Sequence, residues 1–393
     1  MANHMRISAL GIMFALCTVL LTACWDRTET NDIAFVLSSS VDLEDDGRYR
    51  VAYIFPLPGS MGGASGGGGG TSGGKSYYID SEVGATMREA SSKLQLRMSR
   101  RLFLSHRRTI VIGEKLAKAG ISPLLDVVPR TPESRLTCFL VLTKGKGYDL
   151  LNTEPKFERF PAEAIRELTK SRQAMGTSTK DVGLALSFGS DPIISYIEAR
   201  ESQSDKKPSH EIQLIGYGQF KGDQLVGIYK KQEATGLMWL RNNVKEHTFT
   251  FPMKPDESGQ DISILVTQGQ TEITPDLQGD KLIFNIKLNA SGFVREDLSK
   301  QDLSKPDNLH QVEIKLAEQV KKSVQATLAR MQEEGTDSAQ LSLKVWRKYP
   351  NAWNNTLKAQ WLDLFKEAEF RITAEASISE TGLINQNVII NGR

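Results

Sequence analysis

The chain has 393 residues and a formal net charge of +2, with 49 lysines and arginines against 47 aspartates and glutamates. This balance excludes the strong positive field on which nucleic-acid binding depends, so we expect no nucleic-acid partner. A hydrophobic content of 39% with 24% charged residues is typical of folded domains, and it excludes both a disordered chain and a multi-spanning membrane protein.

The first element in chain order is an apolar run from Ile7 to Leu21, which follows Arg6. This run is shorter than the ~20 residues that a membrane-spanning helix needs, but its length is typical of a secretory signal peptide. It ends in Leu21-Thr22-Ala23-Cys24, which resembles a bacterial lipobox. We therefore predict a lipoprotein signal peptide over residues 1–23 and a lipid anchor on Cys24. The alternative is an ordinary signal peptide or N-terminal anchor with a chance cysteine.

Cysteine usage predicts no disulfide. Cys17 leaves with the signal peptide and Cys24 is acylated, so Cys138 alone remains, within the apolar run Leu136 to Leu142. We expect Cys138 to be a buried small hydrophobic residue. A role as a nucleophile would need a nearby histidine, and the sequence offers none.

The first predicted domain mixes strands and helices. Ile33–Leu37 and Tyr49–Phe55 are β-type runs, and Gly47 between them permits the positive φ that a hairpin turn needs. Residues 59–74 are almost wholly small and glycine-rich, which indicates a flexible loop. A helix is predicted to follow, with Ser81 as its N-cap. Its apolar positions are Val83, Met87, Ala90, Leu94 and Met98.

Two ligand motifs in this region are rejected on their context. Asp42, Glu44 and Asp46 resemble the start of a calcium loop, but Tyr53 stands where that loop needs a bidentate glutamate. Gly69 to Ser76 matches the P-loop pattern letter for letter. A β-type run follows it where a P-loop needs a helix, so we predict that Lys75 is inert and that no nucleotide binds.

Later segments continue the alternation, and the pattern predicts an α+β fold of mainly antiparallel sheets packed with helices, in three domains. The predicted domains are residues 24–205, 206–256 and 257–393, with the polar stretch 202–209 as the first linker. The predicted strands are 102–104, 109–113, 136–142, 262–273, 281–294 and 370–378, with a hairpin turn at Gly222-Asp223. The predicted helices are 121–128, 160–172, 179–188, 233–242 and one from Pro306 to Gly335.

No pattern predicts catalysis, a metal or another cofactor. The histidines that remain after cleavage lack metal-ligand spacing, and His106 is interpreted as a surface loop residue. The basic residues Arg100, Arg101, Arg107 and Arg108 form either a solvated turn or a contact with anionic lipid headgroups or an acidic partner. The tryptophans of the C-terminal region are interpreted as core of the last domain, with a docking surface as the alternative.

Four further motifs extend over most of the chain: Cys24-Trp25-Asp26-Arg27, Gly216 to Gly227, Glu233 to Leu240, and Arg347 to Pro350 followed by Trp353 and Trp361. In sequence and in order they resemble the C subunits of spore germinant receptors, the Ger(x)C lipoprotein family. In the second motif Gly218 replaces the usual alanine, and the glycine-rich tract 59–74 is not part of the family pattern.

The resemblance implies a non-enzymatic, membrane-anchored subunit on the outer face of the inner spore membrane. Its partners would be a polytopic A subunit and a permease-like B subunit, in a complex that responds to nutrient germinants. The family's fold, three α/β domains, would agree with the segmentation above. We expect the protein to act by binding these membrane subunits rather than by capturing nutrient, with the segment from Trp25 to Asn31 nearest to them.

Two other functions fit the sequence less well. A solute-binding lipoprotein of a transporter would be built from two lobes of alternating βαβ units, whereas this chain carries long antiparallel-type runs after residue 212. A lipid-anchored enzyme would need a catalytic constellation that the sequence does not offer.

Overall fold

The computed structural model describes residues 7–11, 13, 29–57, 75–203, 208–253, 260–279, 281–299 and 301–382. Cys24 and the glycine-rich tract 59–74 lie outside the described residues, so the predictions for them stay predictions. Within the described part of the chain, no helix has the length and apolar character needed to cross a bilayer.

The described strands and helices are numbered in chain order. The strands are β1 (Ile33–Phe35), β2 (Ser38–Leu43), β3 (Tyr49–Pro56), β4 (Tyr77–Gly84), β5 (Arg101–Phe103), β6 (Thr109–Gly113), β7 (Phe139–Thr143), β8 (Ile193–Glu201), β9 (His210–Lys221), β10 (Gln224–Lys230), β11 (His247–Pro252), β12 (Asp261–Gln278), β13 (Lys281–Asp297) and β14 (Glu369–Glu380). The helices are α1 (Met87–Gln95), α2 (Glu114–Ala119), α3 (Ser122–Val127), α4 (Gly147–Leu151), α5 (Pro161–Lys170), α6 (Thr179–Ser187), α7 (Lys231–Leu240), α8 (Pro306–Glu334), α9 (Leu341–Lys348), α10 (Pro350–Ala352) and α11 (Trp361–Lys366).

The larger sheet has eight strands in the order β10-β9-β8-β7-β6-β2-β3-β4. Its centre, from β8 to β2, is parallel, and the strands at both ends pair antiparallel. Side chains alternate between its faces: Ile110 and Ile112 pack with α1, α2 and α3, whereas Val111 packs with α4 and α5. Both faces of the sheet are therefore covered by helices, as a parallel centre requires.

The N-terminal hairpin contains the predicted second strand, but its first strand is a different segment from the predicted one. Tyr49–Pro56 pairs antiparallel with Ser38–Leu43 and not with the apolar run at 33–37. That run begins with β1, which pairs parallel with β5 instead. Two of the three consecutive serines in the buried strand β2 have hydrogen-bond partners: Ser38 Oγ lies 2.6 Å from Thr109 Oγ1, and Ser39 Oγ accepts a hydrogen bond from Arg107. Ser40 Oγ is buried without a hydrogen-bond partner among the described residues.

The first predicted helix begins later than expected. Ser81, the predicted N-cap, lies in strand β4, which pairs with β3. The helix begins at Met87, and its N-cap is Thr86, whose Oγ1 accepts a hydrogen bond from the backbone N–H of Glu89 at 3.1 Å. The apolar positions Met87, Ala90 and Leu94 are buried as predicted.

The smaller sheet has four strands in the order β11-β12-β13-β14. β12 and β13 form a long hairpin, and β14 pairs parallel with β13. Helix α8 packs on this sheet through Val312, Leu316, Val320 and Val324, and ends at Gly335 in the left-handed conformation, as the sequence predicts. Trp353 and Trp361 belong to the same core, in edge-to-face contact at 5.5 Å, so the core interpretation of the tryptophans is confirmed.

Strands pair across both predicted domain boundaries. The boundary at 205/206 lies in the connection between β8 and β9, which pair antiparallel within the larger sheet. The boundary at 256/257 lies between β11 and β12, which pair in the smaller sheet. The assignment of three domains stays a prediction.

The fold class is confirmed as α+β and multi-domain. In the described part of the chain the strands form six antiparallel and five parallel pairings, and helices pack on both the larger and the smaller sheet.

Candidate functional site

The described residues nearest to the predicted anchor form one wall of a cleft. A short 3-10 turn, Thr30–Asp32, leads into β1, and β1 is attached to the fold by its pairing with β5. The cleft has a volume of about 690 Å³. We call it the anchor-side cleft, and its lining residues include Ile33, Phe35, Phe55, Leu57, Tyr78 and Arg100.

The anchor-side cleft combines exposed apolar groups with a basic rim. Tyr78 is 49% exposed and Leu57 is 38% exposed. Arg97 is held at the rim by Asp80, with Nε 2.9 Å from Oδ2, and by Glu82. The positive charge of Arg97 is thereby compensated within the chain, whereas Arg100 lines the cleft as an exposed side chain. Such a surface can bind an apolar segment of a partner with an acidic border.

The four predicted basic residues do not form one surface group. Arg101 lies 3.3 Å from Glu133, and Arg108 lies 3.7 Å from Glu163. Arg107 is only 7% exposed, so the interpretation of a solvated turn is wrong for this residue. Its side chain turns inward because Ser39 and Ser134 accept hydrogen bonds from Nη1 at 3.3 Å and Nη2 at 3.1 Å.

Arg107 lines a second cavity, of about 520 Å³, which we call the Arg107 cavity. It lies between the larger sheet and helices α1 and α3. Its walls come from three separate parts of the chain, residues 39–53, 87–107 and 124–134. No sequence pattern indicates this site, because only the folded sheet brings these segments together.

The side chains considered as possible reactive or nucleotide-binding groups lie in environments that do not favour those roles. Cys138 is buried, and burial raises the pKa of its thiol to about 11, which keeps it protonated. His106 is exposed as predicted, with its ring 5.0 Å from that of Phe35. Lys75 Nζ lies 2.7 Å from Glu154 Oε1, and strand β4 follows it where a P-loop has a helix.

Asp42, one of the rejected calcium positions, has a structural partner. Its carboxylate accepts hydrogen bonds from the backbone N–H groups of Gly147 at 2.6 Å and Tyr148 at 3.0 Å, at the start of α4. Among the described residues no group of three or more potential metal ligands comes together.

The glycine and tryptophan positions of the quoted motifs serve packing. A Cβ on Gly236 would lie 2.0 Å from the carbonyl oxygen of Ser323, so this glycine lets α7 approach α8 closely. A Cβ on Gly216 would lie 1.9 Å from the carbonyl oxygen of Tyr229 on the neighbouring strand. Trp239 of α7 is fully buried, in a core that contains residues from both the larger and the smaller sheet. These motif residues therefore fix the fold rather than present a reactive surface.

Comparisons with known proteins agree over nearly the whole chain. Residues 26–199 match the family model described as spore germination protein N-terminal domain, and residues 215–382 match the one described as spore germination B3/GerAC like, C-terminal. The chain is 35% identical to YfkR of Bacillus subtilis strain 168 over 379 residues, which cover 95% of this chain and 96% of that protein.

More distant relatives extend the same pattern. The chain is 26% identical to spore germination protein KC of the same organism, with 98% of each chain covered. Its fold is similar to the crystal structure of the GerBC protein, with a TM-score of 0.56 at 19% identity, over 90% of this chain and 100% of that one.

Proposed function

Because this chain belongs to the spore germination family whose N-terminal and C-terminal models match it, we propose that it is the lipid-anchored C subunit of a germinant receptor. In this role it binds the receptor's polytopic A subunit and permease-like B subunit at the outer face of the inner spore membrane. The proposed role is not enzymatic.

The observation that carries the proposal is the extent of the family match. Two consecutive models and the relatives extend over both sheets and the helices between them, rather than over one shared domain. The relatives KC and B3 of Bacillus subtilis both carry spore germination names. This pattern supports a receptor subunit better than it supports the alternative, a solute-binding lipoprotein of a transporter.

The position of the anchor-side cleft supports docking to membrane partners. Cys24 is five residues from Glu29, the first described residue that follows it in the chain. Five residues span at most about 18 Å when fully extended. With Cys24 lipidated, the cleft would therefore lie within reach of the membrane surface, where membrane subunits present their outer loops. Tethering raises the local concentration of such partners, so a weak docking surface becomes occupied.

A double substitution in the cleft tests the proposal. We expect Leu57→Asp with Tyr78→Asp to abolish co-purification with the A and B subunits and to slow germination, because two buried carboxylates would be left without partners in the interface. Phe157→Asp is the matched control, since Phe157 is 95% exposed and lies outside the cleft. Membrane fractionation and a thermal melt of each variant check that anchoring and folding are unchanged.

Two outcomes would contradict the proposal at different levels. Normal co-purification of the double variant would exclude the cleft as the docking surface. Failure of the unsubstituted protein to co-purify with either membrane subunit would overturn the receptor assignment itself.

A further inference from the structure

Arg107 is a buried cation without a carboxylate partner among the described residues. Its guanidinium group donates to two hydroxyl groups, Ser39 Oγ and Ser134 Oγ, and its Nε is buried without a hydrogen-bond partner. Hydroxyl groups satisfy N–H donors but do not neutralise charge. Since arginine stays charged in proteins, this arrangement carries an unfavourable desolvation cost that a bound anion would offset.

The neighbouring thiol does not supply that anion. Arg107 lowers the pKa of Cys138, but burial has the larger effect and the pKa of the thiol rises to about 11. Cys138 is therefore neutral in the cell, and within the described part of the chain no carboxylate compensates the charge of Arg107.

The Arg107 cavity has the composition of a site for a small organic anion. Its charged lining consists of Arg88, Arg101, Arg107 and Glu133, and Glu133 is already paired with Arg101 at 3.3 Å. Of the other sixteen lining residues, nine are aliphatic or methionine and seven carry a hydroxyl or amide group. The aliphatic lining includes Val41, Val51, Met87, Leu102, Leu124 and Val128.

We propose that the Arg107 cavity binds a small aliphatic carboxylate. The guanidinium group would hold the carboxylate as an ion pair reinforced by charge-assisted hydrogen bonds. The aliphatic walls would take up the hydrocarbon part of the ligand. An amino acid fits less well, because the cavity has no free carboxylate for its ammonium group and burying that group unpaired is costly. This inference is independent of the docking role proposed above.

Calorimetry on the whole lipidated protein in detergent tests the proposal with matched probes. We expect 4-methylpentanoate to give saturable heat at millimolar concentration and to raise the melting temperature. Leucine, which adds an ammonium group to the same carbon skeleton, and 4-methylpentanamide, which lacks the charge, should bind at least about tenfold more weakly. Inorganic phosphate should not bind, since it makes no use of the aliphatic wall.

Substitutions of Arg107 test whether this residue is responsible for the binding. Arg107→Gln should abolish the heat, and Arg107→Lys, which keeps the charge but loses the paired donors, should weaken binding by about tenfold. Arg172→Gln is the control, because Arg172 is an exposed residue outside the cavity, paired with Glu246. If Arg107→Gln fails to fold, Thr131→Trp serves instead, since it adds bulk to the lining of the cavity and keeps Arg107.

The proposal is overturned if no probe gives saturable heat, if 4-methylpentanamide binds as well as the acid, or if Arg107→Gln and Thr131→Trp both fold and bind normally. Preferential binding of leucine would also overturn the proposal, because the ligand would then be an amino acid. Preferential binding of phosphate would exclude a carboxylate as the ligand.

Discussion

At the scale of single residues, the buried carboxylate of Asp42 links strand β2 to the start of helix α4. Asp42 lies in β2 and is 2% exposed, yet it accepts two hydrogen bonds from the first turn of α4. Burial disfavours its charged form more than these hydrogen bonds favour it, so the pKa of Asp42 rises to about 6. Its ionisation therefore couples to the stability of the larger sheet.

We expect Asp42 to make stability fall as pH rises from 4 to 6. Its ordinary pKa is 3.8, so between these values the native state binds more protons than the unfolded state, and the free energy of unfolding decreases with increasing pH. The contribution is fully present below pH 4 and is lost above pH 6, with a magnitude of order 1–3 kcal/mol. Urea unfolding of the unsubstituted protein and Asp42→Asn across this range measures the difference.

Asp46→Asn provides the control for this titration. Asp46 is exposed and paired with Arg48, and its pKa is lowered by hydrogen bonds from Arg48, so its contribution has the opposite sign. A difference for Asp42→Asn that increases with pH would mean that the two backbone donors outweigh burial.

The Arg107 cavity shows what the sequence does not reveal at this scale. Arg107 and Arg108 are adjacent and chemically identical, and no local pattern distinguishes the buried one from the exposed one. Their difference arises from Ser39 and Ser134, which are 68 and 27 residues away from Arg107 along the chain. Buried hydroxyl partners at such separations become visible only in the folded structure.

At the scale of elements, helix α7, which follows the larger sheet in the chain, packs against α8. Helix α8 belongs to the core of the smaller sheet, so this contact links the two sheets. Gly236 allows the two helices to touch, and Thr327 Oγ1 donates a hydrogen bond to the carbonyl oxygen of Glu233 at 2.8 Å. A close approach of this kind needs a residue without a Cβ.

Two glycine-to-alanine substitutions in helices should have opposite effects. Gly236→Ala places a methyl group 2.0 Å from the backbone oxygen of Ser323, so we expect a loss of about 1–3 kcal/mol or more as the helices separate. Gly183→Ala in α6 meets nothing within 4 Å, and we expect a gain of about 0.5–1 kcal/mol from higher helix propensity. Thermal denaturation compares the two. Equal effects would exclude close helix packing as the function of Gly236.

The sequence predicts most elements, and its failures have a common physical cause. Periodic apolar patterns located α8 and the strands β12 and β13, because these elements bury one continuous face. The predicted helix start at Ser81 and the first hairpin strand were wrong, because pairing with the buried strand β3 overrides local preference in both places. Strand β2 reads as polar, and its burial follows from its pairing with both β3 and β6 and from the hydroxyl partners of Ser38 and Ser39.

At the scale of the whole molecule, attachment to the membrane depends on one predicted covalent bond. We expect Cys24→Ala to release the protein from membranes or to leave it with an uncleaved signal peptide, since the acyl chains supply the anchoring energy. Cys17→Ala is the control, because Cys17 is predicted to leave with the signal peptide. Membrane fractionation and mass spectrometry measure both. An unmodified Cys24 in membrane-bound mature protein would contradict this prediction.

If Cys24 is lipidated as proposed, the pairing of β1 with β5 limits how the anchored molecule can move. A folded chain of this length has a radius of gyration of about 21 Å, so a tether of at most about 18 Å is shorter than the diameter of the body that it holds. Tilt relative to the bilayer is then restricted, while rotation about the membrane normal and lateral diffusion stay free. The search for a partner becomes two-dimensional, with one face already turned toward the lipid. Lengthening the tether would restore tumbling and slow that search without changing any contact in the fold.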